Sequence, residues 1–69
     1  MRARFGDAVR ALRDRLDISQ EELAHRAGIH RTYVGDIERG GRNPGLVNIC
    51  RIAQALEVEP SEIFIEMGM

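Results

Sequence analysis

Residues 19–40 read Ser19-Gln20-Glu21-Glu22-Leu23-Ala24-His25-Arg26-Ala27-Gly28, then Ile29-His30, then Arg31-Thr32-Tyr33-Val34-Gly35-Asp36-Ile37-Glu38-Arg39-Gly40. Ser19 is a good N-cap, and Glu22 three residues on completes a capping box. Leu23, Ala24 and Ala27 give the following helix of about eight residues an apolar side. Gly28 ends it, because glycine enters the left-handed conformation that a helix C-terminus favours. Ile29 and His30 form a very short turn. A second helix runs from about Arg31 to Arg39 and stops at Gly40-Gly41. Two short helices joined by a tight glycine turn are thus written into 22 consecutive positions.

The flanks are helical as well. From about residue 3 to residue 16, Phe5, Ala8, Val9, Leu12 and Leu16 recur at helical spacing opposite Arg4, Arg10 and Asp14. Gly40 to Gly45, with Pro44, is a loop by composition. Leu46, Ile49, Cys50, Ala53 and Leu56 then mark a fourth helix, with Cys50 expected as a small core residue. Pro60 suits the first position of a fifth, Glu59 precedes it as a candidate cap, and Ile63 and Phe64 are its expected buried anchors. No stretch alternates as a strand does. The expected fold is all-α, five helices in a single domain over residues 1–69 with its core in about 5–64.

Size and composition restrict function. A chain of 69 residues buries a thin core and has little room for a substrate cleft. An enzyme is therefore not expected, and self-association is a prior set by size. No apolar run approaches the ~18 residues of a membrane span, and the N-terminus lacks a secretory pattern. Cys50 is the single cysteine, which suggests a reducing, cytoplasmic setting. His25 and His30 have no acid or thiol cluster to complete a metal site, so no metal, cofactor or small-molecule ligand is expected. Met67 and Met69 read as a frayed tail or as an extension of an apolar patch.

The formal net charge of −1 hides an asymmetry. Every basic residue is arginine. Five of them stand in residues 1–16 against two acids, and five more in residues 26–51 against Asp36 and Glu38. Asp17, Glu21 and Glu22 lie between these blocks, and Glu57, Glu59, Glu62 and Glu66 follow them. A mixed, solvated surface is one reading. The other is a cationic face that would meet a phosphate backbone, with an acidic end kept from it. All-arginine basicity suits bidentate contacts to guanine or phosphate, and codon bias produces it equally well.

On the wheel of the third helix, Tyr33, Val34 and Ile37 share one side, and Arg31, Thr32, Gly35, Asp36 and Arg39 the other. The outward side is short or cationic, and at Gly35 a partner surface has room to approach. Arg31 and Thr32 occupy the first turn. These are conditions for placing a helix end in a DNA major groove, although amphipathic helix pairs also occur in proteins that never touch nucleic acid.

The segments Ile18-Ser19-Gln20-Glu21-Glu22-Leu23-Ala24, Ala27-Gly28-Ile29 and Tyr33-Val34-Gly35-Asp36-Ile37-Glu38-Arg39-Gly40 resemble the Cro/C1-type (XRE) helix-turn-helix family. So does the tail from Pro44 through Leu46, Ile49, Ile52, Ala53, Ala55, Leu56 and Val58. Within that family, Arg31-Thr32-Tyr33-Val34 and Glu38-Arg39-Gly40-Gly41-Arg42-Asn43 look most like the controller proteins of restriction–modification systems. The resemblance implies a lambda-repressor-like domain that acts as a sequence-specific transcriptional regulator, a homodimer on a palindromic double-stranded DNA operator. Arg31 and Thr32 match positions that read base edges, and Asp36 a third, where an acid would accept from a cytosine amino group or repel wrong sequences. Gln20 matches a position that holds phosphate and braces the recognition helix. Tyr33 matches one at the groove edge or backbone, and Arg42 and Asn43 the loop along the backbone, with Arg39 and Asn48 as further backbone candidates.

Two positions depart from the pattern. His30 stands where Ser, Thr or Asp would cap better, so its imidazole is assigned to a phosphate, and Gly45 replaces a better cap before the fourth helix. The family pattern further implies a partly buried Arg13–Glu38 ion pair and a two-fold interface on the last two helices at Ile63, Phe64 and Ile65. RNA polymerase would be a partner for an activator, without an assignable surface. A phage-type repressor or antitoxin of the same fold, or a helical protein-interaction module, are the alternatives.

Overall fold

The computed structural model describes residues 2–68. Five helices follow in order: α1 (Arg2–Arg15), α2 (Gln20–Ala27), α3 (Arg31–Glu38), α4 (Leu46–Ala55) and α5 (Pro60–Glu66), with no strand among the described residues.

The boundaries follow from local chemistry. Ser19 lies in extended backbone, and its hydroxyl accepts the Glu22 N–H at 3.0 Å. The expected reciprocal half of the capping box is replaced: the Glu22 carboxylate pairs with Arg26, one turn on, at 2.8 Å. A charged i, i+4 partner competes well against a backbone N–H that water can satisfy. Gly28 takes φ 71, and the Ile29 N–H returns to the Ala24 carbonyl at 3.0 Å, closing α2. Pro60 opens α5 as expected.

Val9, Leu23, Val34, Ile37, Ile52, Leu56 and Ile63 are fully buried and bring all five helices to one core. Helix α1 packs on α3 and α5, and α2 on α3 and α4. At Gly6 the α1 backbone meets the end of α3 so closely that a Cβ there would stand 2.3 Å from the Ile37 carbonyl oxygen.

Several sequence expectations are corrected. Cys50 is exposed, and so is Leu46, at 75%. Ile52 and Ala55 are buried in α4, and they turn its inner face away from Leu46 and Cys50. Ile63 is fully buried within the chain and cannot be an interface contact, whereas Phe64 and Ile65 are exposed. Met67 belongs to the core, and Met69 lies outside the described residues. No helix among the described residues is long and apolar enough to cross a membrane, and no group of three or more His, Cys, Asp or Glu among them is placed to hold a metal ion.

Candidate nucleic-acid interface

Helix α3 begins on His30. Its backbone is extended, and its Nδ1 accepts the Thr32 N–H at 3.3 Å. The imidazole is therefore itself the cap, doing with nitrogen what Ser or Asp does with oxygen, and with Nδ1 accepting, Nε2 is the ring nitrogen left to donate. Arg31 and Thr32 follow in the first turn, both exposed. Val34 and Ile37 face the core. The first turn of α3 is thus presented outward while its opposite face is fixed.

The base of the helix is held by charge. Glu38 is buried. Arg13 of α1 donates to it twice, Nε to Oε2 at 2.8 Å and Nη2 to Oε1 at 3.1 Å. Gln20 of α2 donates from Nε2 to Oε1 at 2.9 Å, and Arg10 Nε lies 3.6 Å from the same oxygen. Burial pushes the Glu38 carboxyl up, but the hydrogen bonds from Arg13 and Gln20 and the charges of Arg13 and Arg10 outweigh it. The group is held below the usual carboxylate range. Gln20 thereby braces α3 directly, and one of its amide hydrogens is already committed.

Beside α3 runs an open groove lined by Ile29, His30, Thr32, Tyr33, Asp36, Arg42, Asn48 and Arg51. Tyr33 is half-buried. The Arg42 guanidinium lies 5.2 Å over its ring, and Asn48 Nδ2 donates to its hydroxyl at 3.2 Å. Tyr33 thus ties the α3–α4 loop and α4 to α3. Asp36 is engaged within the chain: Arg39 pairs with it, and Arg42 Nε stands 3.8 Å from its Oδ2. Arg39 and Asn43 are exposed. Gly35 does not leave the expected open space, because Arg39 Nη1 would be 3.2 Å from a Cβ there and Gln20 Oε1 3.7 Å.

Sequence reasoning missed Arg51. It is exposed, lines the groove, and makes no ion pair among the described residues. The signal was its position three residues after Asn48, which puts the two on one side of α4.

A helix-turn-helix family model matches residues 9–63, which span α2, the turn and α3. The chain belongs to the helix-turn-helix family. It is a DNA-binding transcriptional regulator by that membership. This helix-turn-helix protein is 47% identical over 64 residues to the control protein C.BamHI of Bacillus amyloliquefaciens, covering 91% of this chain and 79% of that one. It is 38% identical over 68 residues to the control protein C.MunI of a Mycoplasma species, covering 97% and 92%. Its fold matches the crystal structure of the restriction–modification controller protein C.AhdI from Aeromonas hydrophila with a TM-score of 0.90 at 49% identity, covering 91% of this chain and 96% of that one. The likeness to controller proteins read from Arg31-Thr32-Tyr33-Val34 and Glu38-Arg39-Gly40-Gly41-Arg42-Asn43 therefore extends over nearly the whole domain.

Proposed function

We propose that this protein is a control protein of a restriction–modification system that binds a palindromic operator as a homodimer in the cytoplasm. The observation that carries the reading is the exposed first turn of α3, where Arg31 and Thr32 stand above a helix base fixed by Arg13, Gln20 and Glu38. Arg31 pairs bidentately with guanine, a contact worth about 1–3 kcal/mol of discrimination, and Thr32 meets an adjacent base edge. His30 through Nε2–H, Asn43, Arg42, Tyr33, Asn48 and the uncommitted amide hydrogen of Gln20 contact phosphates, and Arg51 joins them.

The same chemistry favours pairing of two copies. Among the described residues, Leu46, Val47, Phe64 and Ile65 are the large apolar side chains left exposed, all of them on α4 and α5. Water-exposed groups of this kind mark association surfaces. A two-fold pairing through them sets two α3 helices on half-sites one helical turn, about 34 Å, apart. The identities to control proteins favour this reading over a phage-type repressor or antitoxin, and the polar groove beside α3 favours it over a protein-interaction module.

The test is a gel shift on duplexes taken from upstream of this chain's own gene, at two salt concentrations. Tight binding of one palindromic segment that weakens steeply with salt is expected. Absence of any preferred duplex, or binding indifferent to salt, would overturn the proposal.

A further inference from the structure

The acid on the recognition helix is occupied before any DNA arrives. The Asp36 carbonyl accepts the Gly41 N–H at 2.8 Å, which draws the start of the loop onto the helix. Its carboxylate pairs with Arg39 on one side and faces Arg42 Nε at 3.8 Å on the other. Helical side chains lean toward the N-terminus, so Arg39 lies back over the preceding turn. It has room to do so because position 35 is glycine: a Cβ there would meet Arg39 Nη1 at 3.2 Å. The Arg39 side chain, 66% exposed, is therefore held along α3 rather than trailing toward the loop. Arg42 continues from the same carboxylate to the Tyr33 ring.

A cytosine amino group would be a poor replacement for these partners. It is a neutral donor, whereas each arginine brings a full positive charge to the carboxylate together with its N–H groups. The Asp36 side chain is also only 30% exposed. We propose that Asp36 is a specificity-determining positioning residue: it buttresses Arg39 along the outward face of α3, draws Arg42 to the same point, and reads no base itself. A guanidinium held in one place meets a guanine edge or a single phosphate at small entropic cost. The same group released from its carboxylate follows any phosphate within reach. Asp36 thus trades general affinity for sequence preference. The inference rests on the DNA-reading role proposed above for α3.

The experiment uses the full chain and its Asp36→Asn, Arg39→Ala and double variants. The probes are a duplex selected by the wild type from a randomised library, every single-base-pair substitution of it, and a scrambled duplex, each titrated at several salt concentrations. Asp36→Asn is nearly isosteric, and a melting curve of each variant confirms folding. Scrambled DNA is expected to bind Asp36→Asn as tightly as the wild type or tighter, with a salt slope steeper by up to ~0.9 per released arginine. Preference for the selected duplex is expected to fall about tenfold, one good contact's worth of discrimination. Arg39→Ala alone should lose a similar preference and add little on top of Asp36→Asn. Loss of discrimination in Asp36→Asn at a base pair that Arg39→Ala still discriminates would make Asp36 a base reader and overturn the proposal. So would an unchanged preference, or proportional weakening on both duplexes. A wild type without any preferred duplex would overturn the parent reading and this one with it, whereas the other three results leave the parent reading standing.

Discussion

Arg13 and Glu38 lock α1 to the last turn of α3 through two parallel hydrogen bonds of 2.8 and 3.1 Å. The two ends differ in solvation: the Glu38 side chain has no exposure and that of Arg13 has 14%. Removing Arg13 therefore leaves a buried carboxylate with only the neutral Gln20 amide at 2.9 Å and Arg10 at 3.6 Å, while removing Glu38 leaves an arginine that still donates to the Ile18 carbonyl at 2.8 Å. Arg13→Met is expected to cost about 3–5 kcal/mol, and Glu38→Leu less. The double variant should recover part of the loss, since a well-packed apolar pair is often no worse than a buried ion pair. Urea denaturation of the three variants measures this. Equal costs for the two single changes would contradict the asymmetry.

The same carboxylate sets an acid limb to stability. Its folded pKa lies below that of an unfolded glutamate, about 4.3. Above that pH the stabilisation is fully present. It is lost as pH falls through the lower folded value, where Glu38 takes up a proton and Arg13 loses its partner. Melting temperature should thus be level near neutrality and fall below about pH 4. In Glu38→Gln that fall should be shallower, although the variant starts lower. A Glu38→Gln curve running parallel to the wild type down to pH 2 would show that other carboxylates carry the acid limb.

Gly6 offers a test in which helix propensity and packing oppose each other. In an isolated helix alanine is better than glycine by about 1 kcal/mol. Here the new methyl would stand 2.3 Å from the Ile37 oxygen and 2.9 Å from that of Glu38, both backbone atoms. Helices α1 and α3 must part to admit it, at a typical overpacking cost of about 1–3 kcal/mol. Gly6→Ala is therefore expected to be destabilising overall, and because the strain falls on the end of α3, to weaken DNA binding as well. A raised melting temperature would mean that α1 slides freely.

What the sequence made legible was local. Ser19, Gly28 and Gly40 punctuate helices whose lengths follow from contacts within a few residues, so α2 and α3 lie within a residue of where pattern reading puts them. The rest depends on how helices are rotated against one another. The wheel of α4 is apolar over so wide an arc that it could not say whether Cys50 or Ala55 faces inward. Ile63 satisfied an anchor and an interface role equally until α5 was placed against α1 and α4. Gly6 carried no signal at all, because its neighbour is 31 residues away in sequence. Within the groove, the residue types were legible but their mutual pairing was not: Asp36 looked like a group waiting for a base, whereas two arginines already occupy it.

Arg31 and Arg51 should separate two kinds of DNA contact. Arg31 stands exposed in the first turn of α3, and Arg51 on α4 across the groove. Arg31→Ala is expected to lose about 1–3 kcal/mol on the operator and to relax preference at one or two base pairs. Arg51→Gln should weaken operator and unrelated duplexes alike and lower the salt slope by about 0.9, one phosphate contact. Fluorescence anisotropy over a salt series reads both. A sequence-dependent effect of Arg51→Gln, or a uniform one for Arg31→Ala, would reverse the assignments.

The proposed pairing surface is testable apart from DNA. Ile65 is 67% exposed and Val47 66%, so neither is needed for the core of a single copy. An acid at either site costs the isolated chain little, as surface changes away from special features usually stay within about 0.5 kcal/mol. Across a two-fold axis the same change buries two unpaired carboxylates, one from each copy, and a charge without a partner in an apolar setting is strongly unfavourable. Ile65→Asp and Val47→Asp are therefore expected to shift the protein to monomer in sedimentation equilibrium at concentrations where the wild type is dimeric, with helical content unchanged. Operator affinity should fall with them, because each half-site would then be bound independently. Ile63→Asp, by contrast, should unfold the chain, since Ile63 has no exposure within a single copy. Monomeric Ile65→Asp and Val47→Asp that still bind the operator as the wild type does would separate DNA binding from pairing, and variants that stay dimeric would remove α4 and α5 from the pairing.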